Sequence, residues 1–257
     1  MCPACAACAR PSPGPSPGIL PRKGPLALLA LLLVLTACQA DPARMDSPGV
    51  QKLTWFSYLD AGDLRRTCGP DRPDRYRLIY NAHYAEQLRS YEVTGSPLGG
   101  VVEAAVQEGS GIAVSARTIG FDDPFASWAW RRARQPLNPT QMAALRESLA
   151  QSGALAPQPA GLRLRSNAFY WIAAGCLGGA PFYHAWLYDE GGFAGLAFPD
   201  LLFALDGTGV AVNPPRRRDP AERTSANTRP RQSGAVARIP HFVVQLGEDG
   251  LKGVPPL

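Results

Sequence analysis

Apolar residues recur along the chain with a period of two in several short segments, which predicts β-strands. In residues 75–80 the large apolar side chains fall on one side, as they do in a half-buried strand. Residues 86–93 alternate similarly, but Leu88 is one step out of phase, so we expect a bulge or a register shift there. Further strands are predicted at residues 101–106, 111–119, 162–174, 182–188, 209–212 and 241–246.

One segment has a clear helical pattern. Residues 139–152 follow Asn138 as the N-cap and place apolar side chains at spacings of three and four. A short helix is expected at residues 199–205, Asp63 is a candidate cap for a short helical turn, and residues 53–59 fit either a helix or a strand. Several strands with one convincing helix predict a single α+β domain with a mainly antiparallel sheet.

The beginning of the chain has the order of residues found in an export signal. Arg22 and Lys23 precede an apolar run at residues 26–35, which is too short for a permanent membrane span. Residues 35–38, Leu-Thr-Ala-Cys, end that run. This quartet resembles the lipobox of bacterial lipoproteins. The resemblance covers about the first forty residues, and it implies cleavage before Cys38 and a diacylglyceryl thioether on its sulfur.

Residues 39–49 are polar and contain prolines, which suits a short flexible tether. We therefore expect a signal peptide at residues 1–37, a lipidated tether at 38–52 and the domain at 53–257. Two acyl chains anchor a protein stably, whereas one binds reversibly. Lipoproteins kept in the inner membrane often have Asp after the cysteine, and Gln39 stands here instead. We therefore expect outer-membrane delivery, facing the periplasm. The first stretch is rich in proline, unlike a signal peptide, so we expect translation to begin near Leu20.

Composition and charge narrow the possible functions. A chain that is 46% hydrophobic and 18% charged is globular rather than disordered or fibrous. Of its 26 basic residues, Arg10, Arg22 and Lys23 lie in the signal, which leaves 23 against 21 acidic residues. So small an excess, in an exported protein, argues against nucleic acid as a partner.

Two cysteines follow the predicted anchor, Cys68 and Cys176. In an oxidising periplasm an isolated pair of this kind predicts a disulfide. Cys176 lies at a glycine-rich turn between two predicted strands, so the bond would tie the first part of the domain to its centre.

Three histidines, His83, His184 and His241, are the candidates for catalysis or metal binding. The sequence contains no GxSxG elbow, P-loop, GxGxxG turn or HExxH motif, and no cofactor or metal is expected. An envelope hydrolase that pairs a cysteine or serine with one of these histidines stays open, as does a histidine-based metal carrier. Each histidine lies on or beside a predicted strand among aromatic residues, the common setting of a structural histidine.

Two features point to recognition. Trp128 and Trp130 stand beside Arg131, Arg132 and Arg134, residue types that are enriched at binding hot spots. The alternative is that the aromatic rings belong to the core and the arginines to a solvated edge. The arginine- and proline-rich loop at residues 214–234 would suit phosphate-bearing lipids or stay solvated.

The leading interpretation is therefore a lipid-anchored cell-envelope protein that acts as a binding or assembly module rather than an enzyme. Its expected partners are the membrane, through Cys38, and an envelope protein or an anionic lipid.

Overall fold

The structure is a computed structural model that describes residues 48–84, 86–108, 129–158, 160–217 and 242–253, with side chains from residue 54 onward. Several expectations lie outside these residues: Cys38 and the signal peptide, most of the tether, the strand at 111–119, Trp128, His241, and residues 218–234 of the arginine-rich loop.

The helices are α1 (Pro48–Asp60), α2 (Gly62–Arg66), α3 (Pro139–Gln151) and α4 (Phe198–Leu205), with a 3-10 helix at Tyr188–Glu190. The strands are β1 (Asp74–Ala82), β2 (Gln87–Ser96), β3 (Gly99–Glu108), β4 (Arg131–Leu137), β5 (Arg163–Arg165), β6 (Phe169–Leu177), β7 (Ala180–Leu187) and β8 (Val243–Gln245). Within the described part of the chain, no helix is long and apolar enough to cross a membrane.

Six of these strands form one antiparallel sheet in the order β4-β3-β2-β1-β6-β7, and β5 pairs with β8 separately. The fold is α+β with a mainly antiparallel sheet, as the sequence predicts. The central strands are buried on both faces, so β1 is not the half-buried strand expected from its alternation.

A separate hydrophobic core covers each face of the sheet. On the face packed by α1, α2 and the β5–β8 pair, apolar side chains such as Leu59 and Ile172 form the α1-face core. On the opposite face, α3 and α4 pack through Met142, Leu145 and Phe198 and form the α3-face core. Both faces of the sheet are therefore covered by a packed apolar layer.

Helix α3 confirms the helix predicted at residues 139–152, and the contacts of Asn138 show why it begins there. The Asn138 side chain accepts a hydrogen bond from the Gln141 backbone N–H at 2.8 Å, and the Gln141 side chain accepts one from the Asn138 N–H at 2.9 Å. This reciprocal capping box, with Pro139 at the first helical position, fixes where the helix begins.

The structure corrects the predicted irregularity in β2. Pairing with β1 and with β3 is continuous along the strand, so β2 contains neither a bulge nor a shift. Leu88 is out of phase with Tyr91 because it belongs to the α1-face core, whereas Tyr91 belongs to the α3-face core.

Three other predictions differ from the structure. The strand predicted at residues 162–174 is two strands, β5 and β6, which belong to different sheets. Residues 209–212 form no strand. Asp63 does not cap α2, whose N-cap is Ala61 without a side-chain hydrogen bond. Residues 53–59 are helical, and their helix begins at Pro48, within the predicted tether.

Candidate functional site

The predicted group of aromatic residues and arginines is divided between the core and the surface. Trp130 is only 7% exposed and lies in the α1-face core, where its ring centroid is 6.4 Å from that of Trp55. Arg131 and Arg132 are exposed at the start of β4. The Trp130 ring is therefore part of the core, whereas Arg131 and Arg132 lie on the surface.

Strand β4 is an outer strand of the sheet, and it carries three exposed arginines that we call the β4 arginine edge: Arg131, Arg132 and Arg134. Its register against β3 decides which way each one faces. Arg131 lies opposite Val106 on the α3 face, and Arg132 and Arg134 lie opposite Ala105 and Glu103 on the α1 face. The edge therefore presents positive charge on both faces of the sheet, with no acidic residue in β4 itself.

Arg77 in the central strand β1 is an internal structural group, unlike the arginines of β4. Its side chain is 1% exposed, and its two terminal nitrogens donate to the Asp63 carboxylate at 2.9 Å each. Its Nε donates to Glu92 at 2.5 Å, and its guanidinium lies 3.9 Å from the Tyr58 ring centroid. Burial alone would raise the pKa of Asp63, but the charge and hydrogen bonds of Arg77 hold it below its ordinary value.

Arg89 performs a comparable role on the α3 face. Its side chain is fully buried, and it donates to the Asp206 carboxylate at 2.5 Å and to the carbonyls of Val210 and Ala211 at 2.7 Å each. Gln87 also donates to the Ala211 carbonyl, at 2.9 Å. These bonds hold residues 206–213 against the sheet, which explains why the predicted strand there is absent: side chains bind its carbonyls in place of a neighbouring strand.

The two described histidines, His83 and His184, each contact neighbouring groups of the fold. His83 follows β1 with a left-handed backbone conformation, φ 60°, and its Nδ1 is 3.7 Å from the Glu86 carboxylate. His184 on β7 lies 4.7 Å from the Trp186 ring centroid, and its Nδ1 is 3.2 Å from the Ala156 carbonyl oxygen. Burial lowers the pKa of His184, and the hydrogen bond to Ala156 opposes that shift.

Within the described ranges, no three His, Cys, Asp or Glu side chains form a group that could hold a metal ion. His241, the third histidine of the predicted set, lies outside those ranges.

Cys68 and Cys176 form the disulfide that the sequence predicts, with their Cα atoms 5.4 Å apart. The bond joins the segment after α2 to the end of β6. In this state the Cys68 sulfur is not a free thiolate, so it does not serve as the nucleophile of a cysteine hydrolase.

The α1-face core contains polar atoms with no hydrogen-bond partner among the described residues: Trp55 Nε1, Asn81 Oδ1 and the Tyr170 hydroxyl oxygen. Asn81 lies directly opposite Tyr170 in the pairing of β1 with β6, and the Trp55 ring centroid is 5.9 Å from that of Tyr84. The sequence carries no signal for these missing partners. Uncompensated buried polar atoms destabilise a fold, so they are sensitive points of this core.

The surface that the structure brings together is therefore the β4 arginine edge, with Trp130 packed behind it. No protein-family model matches the sequence, and no curated protein or solved structure is significantly similar to it.

Proposed function

We propose that this chain is a lipid-anchored cell-envelope protein that acts as a binding or assembly module, with the β4 arginine edge as its contact surface. The observation that supports a binding role is that arginines of the same sheet differ in burial between its inner strands and β4. Arg77 and Arg89 in the inner strands are buried in ion pairs, whereas all three arginines of the outer strand are exposed. Guanidinium groups held on a rigid strand suit recognition of carboxylate or phosphate groups.

The lipobox-like quartet ending at Cys38 supports the anchored location. Two acyl chains on Cys38 would hold the domain at a membrane surface, and Gln39 favours the outer membrane, facing the periplasm. A domain tethered there meets envelope proteins continuously, so even a contact surface of modest affinity is occupied through high effective concentration.

The anchor is tested by feeding Gram-negative cells that express the chain an alkyne fatty acid. The expected result is labelling of the wild-type protein and none of Cys38→Ser, with mass spectrometry locating the lipid on the amino-terminal Cys38. A wild-type protein that takes up no label, or that keeps the residues preceding Cys38, would show that the lipobox interpretation is wrong.

The binding role is tested in the same cells with a photo-crosslinking amino acid placed at Gln135, exposed on β4. Gln151, exposed at the end of α3, is the matched control position. A discrete heteromeric product from position 135, absent from position 151 and identified by mass spectrometry, is expected. Equal diffuse products from both positions would contradict a contact surface on β4.

A further inference from the structure

The two outer strands of the main sheet, β7 and β4, differ in what lies beside them. Along β7 the Ala185 N–H donates to the Gln158 side chain at 2.6 Å, and His184 contacts the Ala156 carbonyl, so residues 156–158 lie along that edge. On the other side of the sheet, β4 pairs with β3, and no second strand lies beside it among the described residues. An exposed edge strand offers a row of backbone groups to another chain.

Pro136 indicates which backbone groups of β4 face outward. A proline has no N–H to donate, so it occurs in edge strands with its nitrogen on the open side. Alternate residues of a strand share one side, hence the N–H and C=O of Arg134 and the C=O of Pro136 face away from β3. These groups are the ones that an added strand would pair with.

The charge on β4 decides what kind of strand fits. A second copy of this chain would bring like charges opposite one another across the joined edges, which destabilises such pairing. An acidic strand would instead place carboxylates opposite the guanidinium groups. Only Arg134 has an acidic cross-strand neighbour on β3, Glu103, while Arg131 lies opposite the aliphatic Val106.

We propose that β4 binds an acidic, extended segment of an envelope protein, which adds to the sheet as a seventh strand antiparallel to β4. This inference rests on the proposed binding function and specifies its partner. All pairings in the sheet are antiparallel, and the added strand continues that arrangement. Backbone hydrogen bonds supply the attachment, and the arginines select the sequence.

The register of the added strand against β4 predicts which of its residues lie opposite the three arginines. If the first residue of the segment lies opposite Arg134, the third lies opposite Arg132 and the fourth opposite Arg131. The pattern is therefore acidic at the first, third and fourth positions. A segment running parallel to β4 would need acidic residues at the first, second and fourth positions instead.

The test uses full-length protein purified in detergent and two fluorescent peptides of identical composition. One has glutamate at the first, third and fourth positions, the other at the first, second and fourth, and both have threonine and valine elsewhere. Fluorescence anisotropy is expected to show about five-fold tighter binding of the first peptide, because cross-strand charge pairs need the correct register. Equal affinities, tighter binding of the second peptide, or no binding of either would overturn the proposal.

Two sets of controls separate strand addition from charge attraction. The double variant Arg131→Gln/Arg134→Gln is expected to weaken binding about five-fold, while Arg163→Gln, an exposed arginine on β5, leaves it unchanged. A methyl group on the backbone nitrogen of the peptide's first residue removes the bond to Arg134 and weakens binding about five-fold. The same methyl group on the fourth residue, whose N–H faces away from β4, has little effect. Equal effects of the two methyl groups would overturn strand addition.

Anionic vesicles containing phosphatidylglycerol provide the remaining arm of the experiment. If they bind through the same arginines while the peptides do not, the surface recognises lipid and the acidic-strand proposal is wrong. If the crosslink at Gln135 forms but the peptides show no register preference, the binding function stands and this inference fails.

Discussion

At the residue scale, two buried tyrosines of the α1-face core differ in the partner of the phenolic oxygen. The Tyr183 hydroxyl donates to the Leu59 carbonyl at 3.0 Å, near the end of α1, where helix carbonyls lack intrahelical partners. The Tyr170 hydroxyl is equally buried, but it has no hydrogen-bond partner among the described residues. Burial raises the pKa of both groups, so both stay protonated at neutral pH.

We therefore expect opposite effects from removing the two hydroxyl groups. Tyr183→Phe leaves the Leu59 carbonyl without its donor and lowers the free energy of unfolding by roughly 1 kcal/mol. Tyr170→Phe removes a polar atom that is already unpaired, so stability is unchanged or rises by up to about 1 kcal/mol. Urea denaturation at pH 7 measures both. A loss in Tyr170→Phe as large as in Tyr183→Phe would contradict the unpaired state of the Tyr170 hydroxyl.

At the element scale, α2 is held on the sheet by charge as well as by apolar packing. Leu64 is buried beneath it, and Asp63 binds the Arg77 guanidinium through both carboxylate oxygens. Because Arg77 lowers the pKa of Asp63 in the folded state, the ionised carboxylate stabilises the fold. A lowered folded-state pKa gives a contribution that is fully present above the unfolded value, near 4, and is lost as the pH falls through the folded value.

The substitution Asp63→Asn tests this contribution. At pH 7 it should lower the free energy of unfolding by roughly 1 to 3 kcal/mol, since a charged hydrogen-bond partner of buried Arg77 is removed. The gap between the variant and the wild type should begin to narrow as the pH falls below about 4, where the carboxylate of the unfolded chain becomes protonated. It should close as the pH falls through the lowered folded-state pKa of Asp63. Asp71→Asn, in the exposed turn before β1, is the control and should match the wild type at pH 7. Coincident urea curves of Asp63→Asn and Asp71→Asn would refute the interpretation.

Elements with strong local signals were predictable from the sequence. The N-cap residues of α3 fix its start, and the turn at Gly178 and Gly179, both with positive φ, fixes the β6–β7 hairpin. Strand β4 was missed because RRARQPL has no apolar alternation and forms only by pairing with β3. The break between β5 and β6 is imposed by a distant residue: Asn81 Nδ2 donates to the carbonyls of Ser166 and Ala168.

Only the residue types of the candidate site, and not their places in the fold, were predictable from the sequence. The sequence identified the arginines from residue type alone, and their exposure follows from the position of β4 at the sheet edge. It left the place of Trp130 open, because a tryptophan next to arginines is equally compatible with a core and with a surface. Its burial depends on contact with Trp55, far away in the chain. Local patterns therefore reveal charge, and only the assembled sheet shows which charges form an edge.

At the scale of the whole molecule, the disulfide closes a loop that includes much of the main sheet. Cys68 and Cys176 are 108 residues apart, and the loop between them contains β1 to β5 and α3. Nearby, Asp74 accepts hydrogen bonds from the Tyr76 hydroxyl at 2.7 Å and from the Gly178 backbone at 2.8 Å, and it also pairs with Arg146 of α3. The bond therefore constrains most of the main sheet in the unfolded state as well as in the folded one.

The double variant Cys68→Ala/Cys176→Ala should lower the free energy of unfolding by roughly 3 to 5 kcal/mol, because the open chain gains the entropy of a loop of more than a hundred residues. Guanidinium denaturation in the absence of reductant measures this loss. Reductant should shift the wild-type midpoint to that of the variant and leave the variant unchanged. If reduction barely moves the wild-type midpoint, the two cores hold the sheet without the covalent link. Oxidation of the two cysteines would then be dispensable for this fold.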